Sequence, residues 1–226
     1  MTKVGKKYRE GKKLITANQT YDIADAVALV KKVSYTKFDG TVEISIKTFA
    51  DPKYNDQNIR ATVVLPHGTG KTLKVAVFAT DVDADAAKKA GADTVGYETL
   101  ITDMKAGKLD FDVLITSPML MKELAPVAKI LGPKGLMPSP KAGTVTTDIA
   151  TAVEEVKKGR LEFKLDKTGN IQSKIGKLSF DDDKLIENFK TLMKAIEENK
   201  PSGVKGKLIK KIVIAPTMGA GVPISY

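Results

Sequence analysis

The sequence has no cysteine, no tryptophan and a single histidine, His67. Lack of cysteine excludes disulfides and thiol catalysis, and it suits a reducing compartment. A catalytic triad cannot be assembled without His67, which sits in a candidate linker and reads as an ordinary loop residue. The carboxylates are scattered and show no paired spacing for acid–base work. No apolar run approaches the roughly 18 residues that a membrane span needs. Residues Met1 to Gly11 are polar and basic, without the apolar stretch of a secretory signal. These absences leave a non-catalytic cytosolic protein as the expectation.

What is present is positive charge. The chain of 226 residues carries 37 Lys plus Arg against 27 Asp plus Glu, a formal net charge of +10, with a pI of about 9.5. Such a balance points to a polyanion partner, either nucleic acid or an anionic membrane surface. A membrane-surface protein would carry a basic amphipathic helix with aromatics, and none is visible. Apolar residues make up 42% of the chain, enough for a core. The length predicts one or two domains. There is no internal repeat and no low-complexity segment.

The chain opens with a basic arm of Lys3, Lys6, Lys7, Arg9, Lys12 and Lys13. It reads as a solvated tail or as an RNA contact. Thr20 is a plausible N-cap for a helix from Tyr21 to Val33, with Ile23, Val27 and Val30 as its apolar stripe. In the strand Thr41 to Phe49, Val42, Ile44 and Ile46 alternate with Glu43, Ser45 and Lys47. A further strand is predicted over Ile59 to Leu65.

From about His67 the pattern changes. Val75–Ala79 and Val113–Ile115 are continuous apolar runs, as in parallel strands buried on both faces. Helical segments are predicted near Ala84–Ala90, Tyr97–Lys105, Pro118–Leu131 and Asp148–Lys157. That is a βαβ pattern with a parallel sheet. A Gly/Pro loop, Gly132 to Gly143, separates the last two helices.

After Gly159 the alternating style returns. Leu161, Phe163 and Leu165, then Ile171, Ser173 and Ile175, flank the turn Lys167-Thr168-Gly169-Asn170. This predicts an antiparallel hairpin from Arg160 to Lys177, with Gly169 supplying the positive φ of its turn. Asp181 or Asp182 caps a helix to about Asn199, whose stripe is Leu185, Ile186, Phe189, Leu192, Met193 and Ile196. Lys207 to Ala215 is the last predicted strand, and Pro216 to Gly221 an irregular turn.

Charge separates two regions. Residues 67–158 hold 12 basic and 12 acidic residues, leaving 25 and 15 in the remainder. All the net charge therefore lies on the outer segments. The expectation is a discontinuous basic RNA-binding domain of residues 1–66 and 159–226. A neutral domain of residues 67–158 would be inserted into it through two adjacent linkers. An opening motion between the domains is expected.

Several local motifs carry less than they promise. Gly68-Thr69-Gly70-Lys71-Thr72 resembles a phosphate loop and gives the enzymatic alternative, a nucleotide-dependent activity using Gly70, Lys71 and Thr72. The full pattern needs glycine at position 65, which is Leu65, and a helix after the loop, where a strand is predicted. Asp81-Val82-Asp83-Ala84-Asp85 starts like a calcium loop, but Ala86 and Ala92 stand where glycine and glutamate belong. These acids, like Asp181 to Asp183, read as the start of a helix. No metal or cofactor is expected.

Three stretches of the basic segments join a strand to a turn: Lys37–Glu43, Lys167–Lys174 and Pro216–Gly221. Lys37, Lys167 and Lys174 can neutralise phosphates. Phe38 can stack on a base or ribose, though a core role is the plainer reading. Thr41, Thr168, Ser173 and Thr217 can hydrogen-bond 2′-hydroxyls. Gly169 and Gly219 let a backbone approach closely.

The segment Pro126-Val127-Ala128-Lys129-Ile130-Leu131-Gly132-Pro133-Lys134-Gly135-Leu136-Met137-Pro138 closely resembles the signature of the universal large-subunit ribosomal protein one family, of bacterial type. The likeness extends to Phe38-Asp39-Gly40-Thr41-Val42-Glu43, Val63 to Gly70, Lys167 to Asn170 and Thr217-Met218-Gly219. It implies a split α/β RNA-binding domain interrupted by a Rossmann-like domain. It also implies binding to large-subunit rRNA at the mobile stalk, release of deacylated exit-site tRNA, and repression of the protein's own mRNA. The partners would be rRNA, tRNA and that mRNA, with no membrane. The chain would be monomeric when free and part of the cytoplasmic ribosome in the cell. By resemblance the RNA contacts are Lys37, Phe38, Thr41, Glu43, Lys167, Thr168, Gly169, Ser173, Thr217, Met218 and Gly219. Glu43 is not a residue that composition selects for a polyanion site. Lys211 stands where some relatives have a small hydroxyl residue and is left out. The Gly/Pro loop, despite Lys129, Lys134 and Lys141, is not expected to be a primary contact.

Overall fold

The computed structural model describes residues 5–16 and 19–226, without the side chains of residues 81–83. Lys3 of the basic arm therefore lies outside the described residues. The chain is of mixed α/β class and forms two compact units, Met1–Gly70 with Glu162–Tyr226, and Lys71–Leu161. One holds an antiparallel sheet, the other a parallel one.

In the first unit, α1 (Lys6–Lys13) turns most of the basic arm into a helix. It is followed by α2 (Ile23–Val33), β1 (Thr41–Thr48) and β2 (Arg60–Val64). The chain leaves the second unit within β6 (Arg160–Lys164) and continues through β7 (Asn170–Lys177), α7 (Asp182–Glu198), β8 (Ile209–Pro216) and β9 (Val222–Ile224). Strands β7, β1, β8 and β9 form one sheet in that order, and β2 pairs with β6 separately. Alternation in β1 buries Val42, Ile44 and Ile46 and exposes Glu43, Ser45 and Lys47. Ile171, Ile175, Ile212, Ile214, Val222 and Ile224 complete the buried set from the other strands. Helices α2 and α7 pack against these strands. Each fully buried isoleucine contributes roughly 1.5–3 kcal/mol of transfer free energy, so register is fixed: a one-residue slip would put the set into water.

In the second unit, β3 (Val75–Phe78), α3 (Asp81–Lys89), β4 (Thr94–Gly96), α4 (Glu98–Lys105) and β5 (Val113–Thr116) make a three-stranded parallel sheet in the order β4-β3-β5. The central strand β3 is buried along its whole length. Val75 and Val77 join a cluster with Ile115, Val153 and Val156, whereas Ala76 and Phe78 join Leu100, Met104 and Leu131. A strand that feeds two cores has no polar face to alternate, which explains its continuous apolar run.

Several expectations are corrected. The helix after residue 20 starts at Ile23 with Asp22 at its N-cap, not at Tyr21 behind Thr20. Tyr21 is drawn to β9 instead: its N–H donates to the Pro223 carbonyl at 3.0 Å. No single helix covers Pro118 to Leu131. Pro126, which lies inside the expected helix and has no N–H for its ladder, is incompatible with it, and the stretch forms two 3-10 turns, Pro118–Lys122 and Ala125–Val127, and the short α5 (Ala128–Leu131). The last long helix of this unit is α6 (Ile149–Lys158), capped by Asp148, which accepts from the Thr151 N–H at 3.2 Å.

The hairpin also differs. Leu165 and Ile171 form one antiparallel bridge beside the turn. Before it the arms diverge, β6 to β2 and β7 to β1. A hairpin and two strands diverging to separate sheets share the same alternating sequence, so periodicity alone cannot distinguish them.

Candidate nucleic-acid interface

The loop before β1 and the turn after β8 meet because those strands are antiparallel neighbours, with Val42 opposite Pro216 and Glu43 opposite Ala215. Thr217 ties them. Its N–H donates to the Thr41 carbonyl at 2.9 Å, and its Oγ1 accepts from the Thr41 N–H at 2.9 Å. The same hydroxyl lies 3.4 Å from Glu43 Oε1. Glu43 therefore has a partner within the site and faces Lys174 across the β1–β7 pair.

The turn Pro216-Thr217-Met218-Gly219 is closed by the Gly219 N–H donating to the Pro216 carbonyl at 2.8 Å. Its third residue, Met218, has φ +64°, alone among the described non-glycine residues in having positive φ. Glycine or asparagine is usual there, since a side chain in that region costs roughly 1 kcal/mol. Met218 is nonetheless 66% exposed, so core packing does not repay the strain. Tyr35 Oη holds the conformation by donating to the Met218 carbonyl at 2.8 Å. Gly219 has no room for a side chain: a Cβ would lie 2.4 Å from Pro216 Cγ. Phe38 is 56% exposed on the adjoining loop and Lys37 is exposed beside it, so Phe38 is not a core residue. Strained, unpaid-for conformations with exposed apolar side chains concentrate at binding sites.

The structure thus brings Lys37, Phe38, Thr41, Glu43, Thr217, Met218 and Gly219 to one end of the sheet. Lys167, Thr168 and Gly169 are at the other end, where Lys47 pairs with Asn170. Six residues of strand separate Thr41 from Lys47, about 20 Å. Ser173 is opposite Ile44 on the inner side, and its hydroxyl is buried without a hydrogen-bond partner. It is therefore turned away from the polar face that carries Gln172 and Lys174. This corrects the expectation that Ser173 presents a hydroxyl outward; the same alternation that buries Ile171 and Ile175 carries it in.

The residue that organises the 167–170 turn is Asp166, which motif reading passed over. Burial works to raise its pKa. The N–H groups of Asn170 and Thr168 at 2.8 Å each and the Thr168 hydroxyl at 2.7 Å outweigh that and hold it down at about 2. Asp followed by Gly three residues later was the available signal. Because the folded-state value is depressed, the stabilisation is complete above the unfolded value near 3.8 and is lost as pH falls towards 2. Asp166→Ala is expected to cost about 1–2 kcal/mol at pH 7. In urea titrations that difference should vanish below about pH 2; an undiminished difference there would assign the effect to packing instead.

The Gly-Lys-Thr loop leads into β3, not into a helix. Lys71 is committed elsewhere: its Nζ is 2.5 Å from Asp112 Oδ1, and this bond holds the Asp112 carboxyl below its ordinary range. His67 Nε2 contacts Glu187 Oε2 at 2.5 Å. Helix α3 starts at Asp81, behind Thr80 as N-cap. Among the described residues no group of three His, Asp or Glu is placed to hold a metal ion.

The sequence model of the Ribosomal protein L1p/L10e family matches residues 30–220. The chain belongs to this family. It is 53% identical over 225 residues to the large ribosomal subunit protein uL1 of Thermosipho africanus, covering 99% of this chain and 97% of that protein. The uL1 protein of Thermosipho melanesiensis is 52% identical over the whole of this chain and 97% of its own length. That of Lactobacillus delbrueckii subsp. bulgaricus is 48% identical over 99% and 97%. The family is one of structural proteins of the ribosome, and the chain is not an enzyme.

Proposed function

We propose that this chain is a constituent of the large ribosomal subunit that binds large-subunit rRNA through the sheet end built from Phe38, Thr41, Glu43, Thr217, Met218 and Gly219. The observation that carries the reading is Met218, kept exposed in a left-handed conformation beside exposed Phe38. The discontinuous unit holding this site has 24 basic and 15 acidic residues, against 13 and 12 in the other, which supports a polyanion partner there. Lys37 supplies charge at the site itself. As the resemblance implies, the protein would stand at the mobile stalk, assist release of deacylated tRNA from the exit site and repress translation of its own mRNA.

Met218→Ala tests the contact cleanly, because alanine bears the same backbone strain and the side chain supports no core. It is expected to weaken binding to large-subunit rRNA about tenfold, on the scale of one lost apolar contact, with unchanged circular dichroism. In cell-free translation the same variant should relieve repression of the protein's own message. Wild-type protein that binds random-sequence RNA of equal length as tightly as the rRNA would overturn the reading.

A further inference from the structure

The far end of the same sheet carries a second set of exposed groups. Lys47 of β1 stands directly opposite Lys211 of β8 on the outer face. Phe49 follows Lys47 by two residues, falls on the same face and is 56% exposed. The β1–β8 register shifts between Lys47 and Thr48. Lys210 and Lys211 are consequently both exposed, where strict alternation would hide one. Lys210 Nζ lies 5.7 Å from the centre of the Phe49 ring, within cation–π range.

This arrangement is unfavourable by itself. Like charges directly opposite one another destabilise a strand pair. None of Lys47, Lys210 and Lys211 has a carboxylate within 4.0 Å among the described residues. Lys47 instead donates to the Thr168 carbonyl at 2.6 Å. The nearby acids are engaged locally, Asp51 with the Lys53 N–H at 3.0 Å and Asp166 with its own turn. Three ammonium groups without a carboxylate partner, one of them 5.7 Å from the centre of an exposed ring, have the chemistry of a single-strand nucleic-acid shelf: cations for successive phosphates and an aromatic face for an unstacked base.

We infer that Phe49, with Lys47, Lys210 and Lys211, forms a second RNA contact, for a single-stranded segment, about 20 Å from the Phe38–Met218 end. It rests on the RNA-binding reading of this sheet and extends it to a different structural class of RNA. Phosphates track the lysines and one base stacks on Phe49. Stacking tolerates any base, so this shelf adds affinity without sequence selection.

A 12-nucleotide uridine oligomer, followed by fluorescence anisotropy with the full-length protein, is the test. Phe49→Leu should weaken its binding roughly 5- to 150-fold, the range for loss of one base stack, and leave the salt slope unchanged. Lys210→Ala with Lys211→Ala should flatten the slope of log affinity against log salt by about 1.4. The shelf is refuted if wild-type protein does not bind the oligomer at about 50 mM salt, or if Phe49→Leu binds it like wild type. Parallel titration with large-subunit rRNA separates the two readings. Equal affinity for rRNA and random RNA, with a Phe49-dependent oligomer, would sink the rRNA assignment and keep the shelf.

Discussion

Between about 50 and 200 mM monovalent salt, affinity for large-subunit rRNA is expected to fall on the order of a thousandfold. The cause is the uneven charge. The discontinuous unit has nine more basic than acidic residues, whereas the other has one more. If about six phosphates are neutralised, six counterions leave the RNA on binding. A fourfold rise in salt then costs roughly three powers of ten. Lys37, Lys47, Lys167, Lys210 and Lys211 are exposed on the loops and outer face of this sheet, with no ion pair among the described residues, so their charge is available. Filter binding across that range gives the slope. An affinity that changes less than tenfold would mean that hydrogen bonds and stacking dominate, and that the excess charge serves something else.

How much of this could be seen in the sequence depends on the length over which a pattern repeats. Val42, Ile44 and Ile46 alternate for a full strand, and β1 is found where that alternation places it. The continuous runs at Val75 and Val113 likewise mark β3 and β5. Three-residue strands give too few repeats to be legible, as at β4 and β9. The partner of a strand is also invisible to periodicity, which is why β6 and β7 read as a hairpin although they join different sheets.

The candidate site divides in the same way. Thr41, Thr217 and Gly219 could be singled out by residue type on strand-to-turn junctions. That Phe38 is exposed could not, since an isolated phenylalanine is more often core. Glu43 came only from family resemblance, and its bond distance to Thr217 supplies the missing reason, an acid held inside the site's own network. The backbone of Met218 left no mark in the sequence, because methionine is not a residue that signals positive φ. Ser173 shows the opposite failure. Its chemistry suited RNA, but its parity with Ile171 and Ile175 had already assigned it to the inner face.

Asn188 is the buried polar group on which the path of the chain out of β2 depends, and Asn188→Leu is expected to destabilise its unit by about 2–4 kcal/mol. It lies on the apolar stripe of α7 between Leu185 and Leu192 and is fully buried. Nδ2 donates to the carbonyls of Ile175 at 2.7 Å and Gly68 at 3.0 Å, while Oδ1 accepts from the His67 N–H at 3.2 Å. Two carbonyls on one side and an N–H on the other fix the orientation of the amide. Leucine has similar volume, so no cavity opens, but all three backbone groups lose their partner. A buried unsatisfied group costs about 1–3 kcal/mol. The Ile175 carbonyl should account for most of the total, because His67 and Gly68 are within reach of water. Asn188→Asp discriminates bonding from packing: it keeps the acceptor for His67 but aims a carboxylate at two carbonyls, so at neutral pH it should cost at least as much as leucine. The changes should appear in urea unfolding and, by hydrogen exchange, in the amides of α7 and β7, not in those of β3 and β5. A leucine variant within about 1 kcal/mol of wild type would mean that water replaces the amide, and that the chain leaving β2 is not held by Asn188.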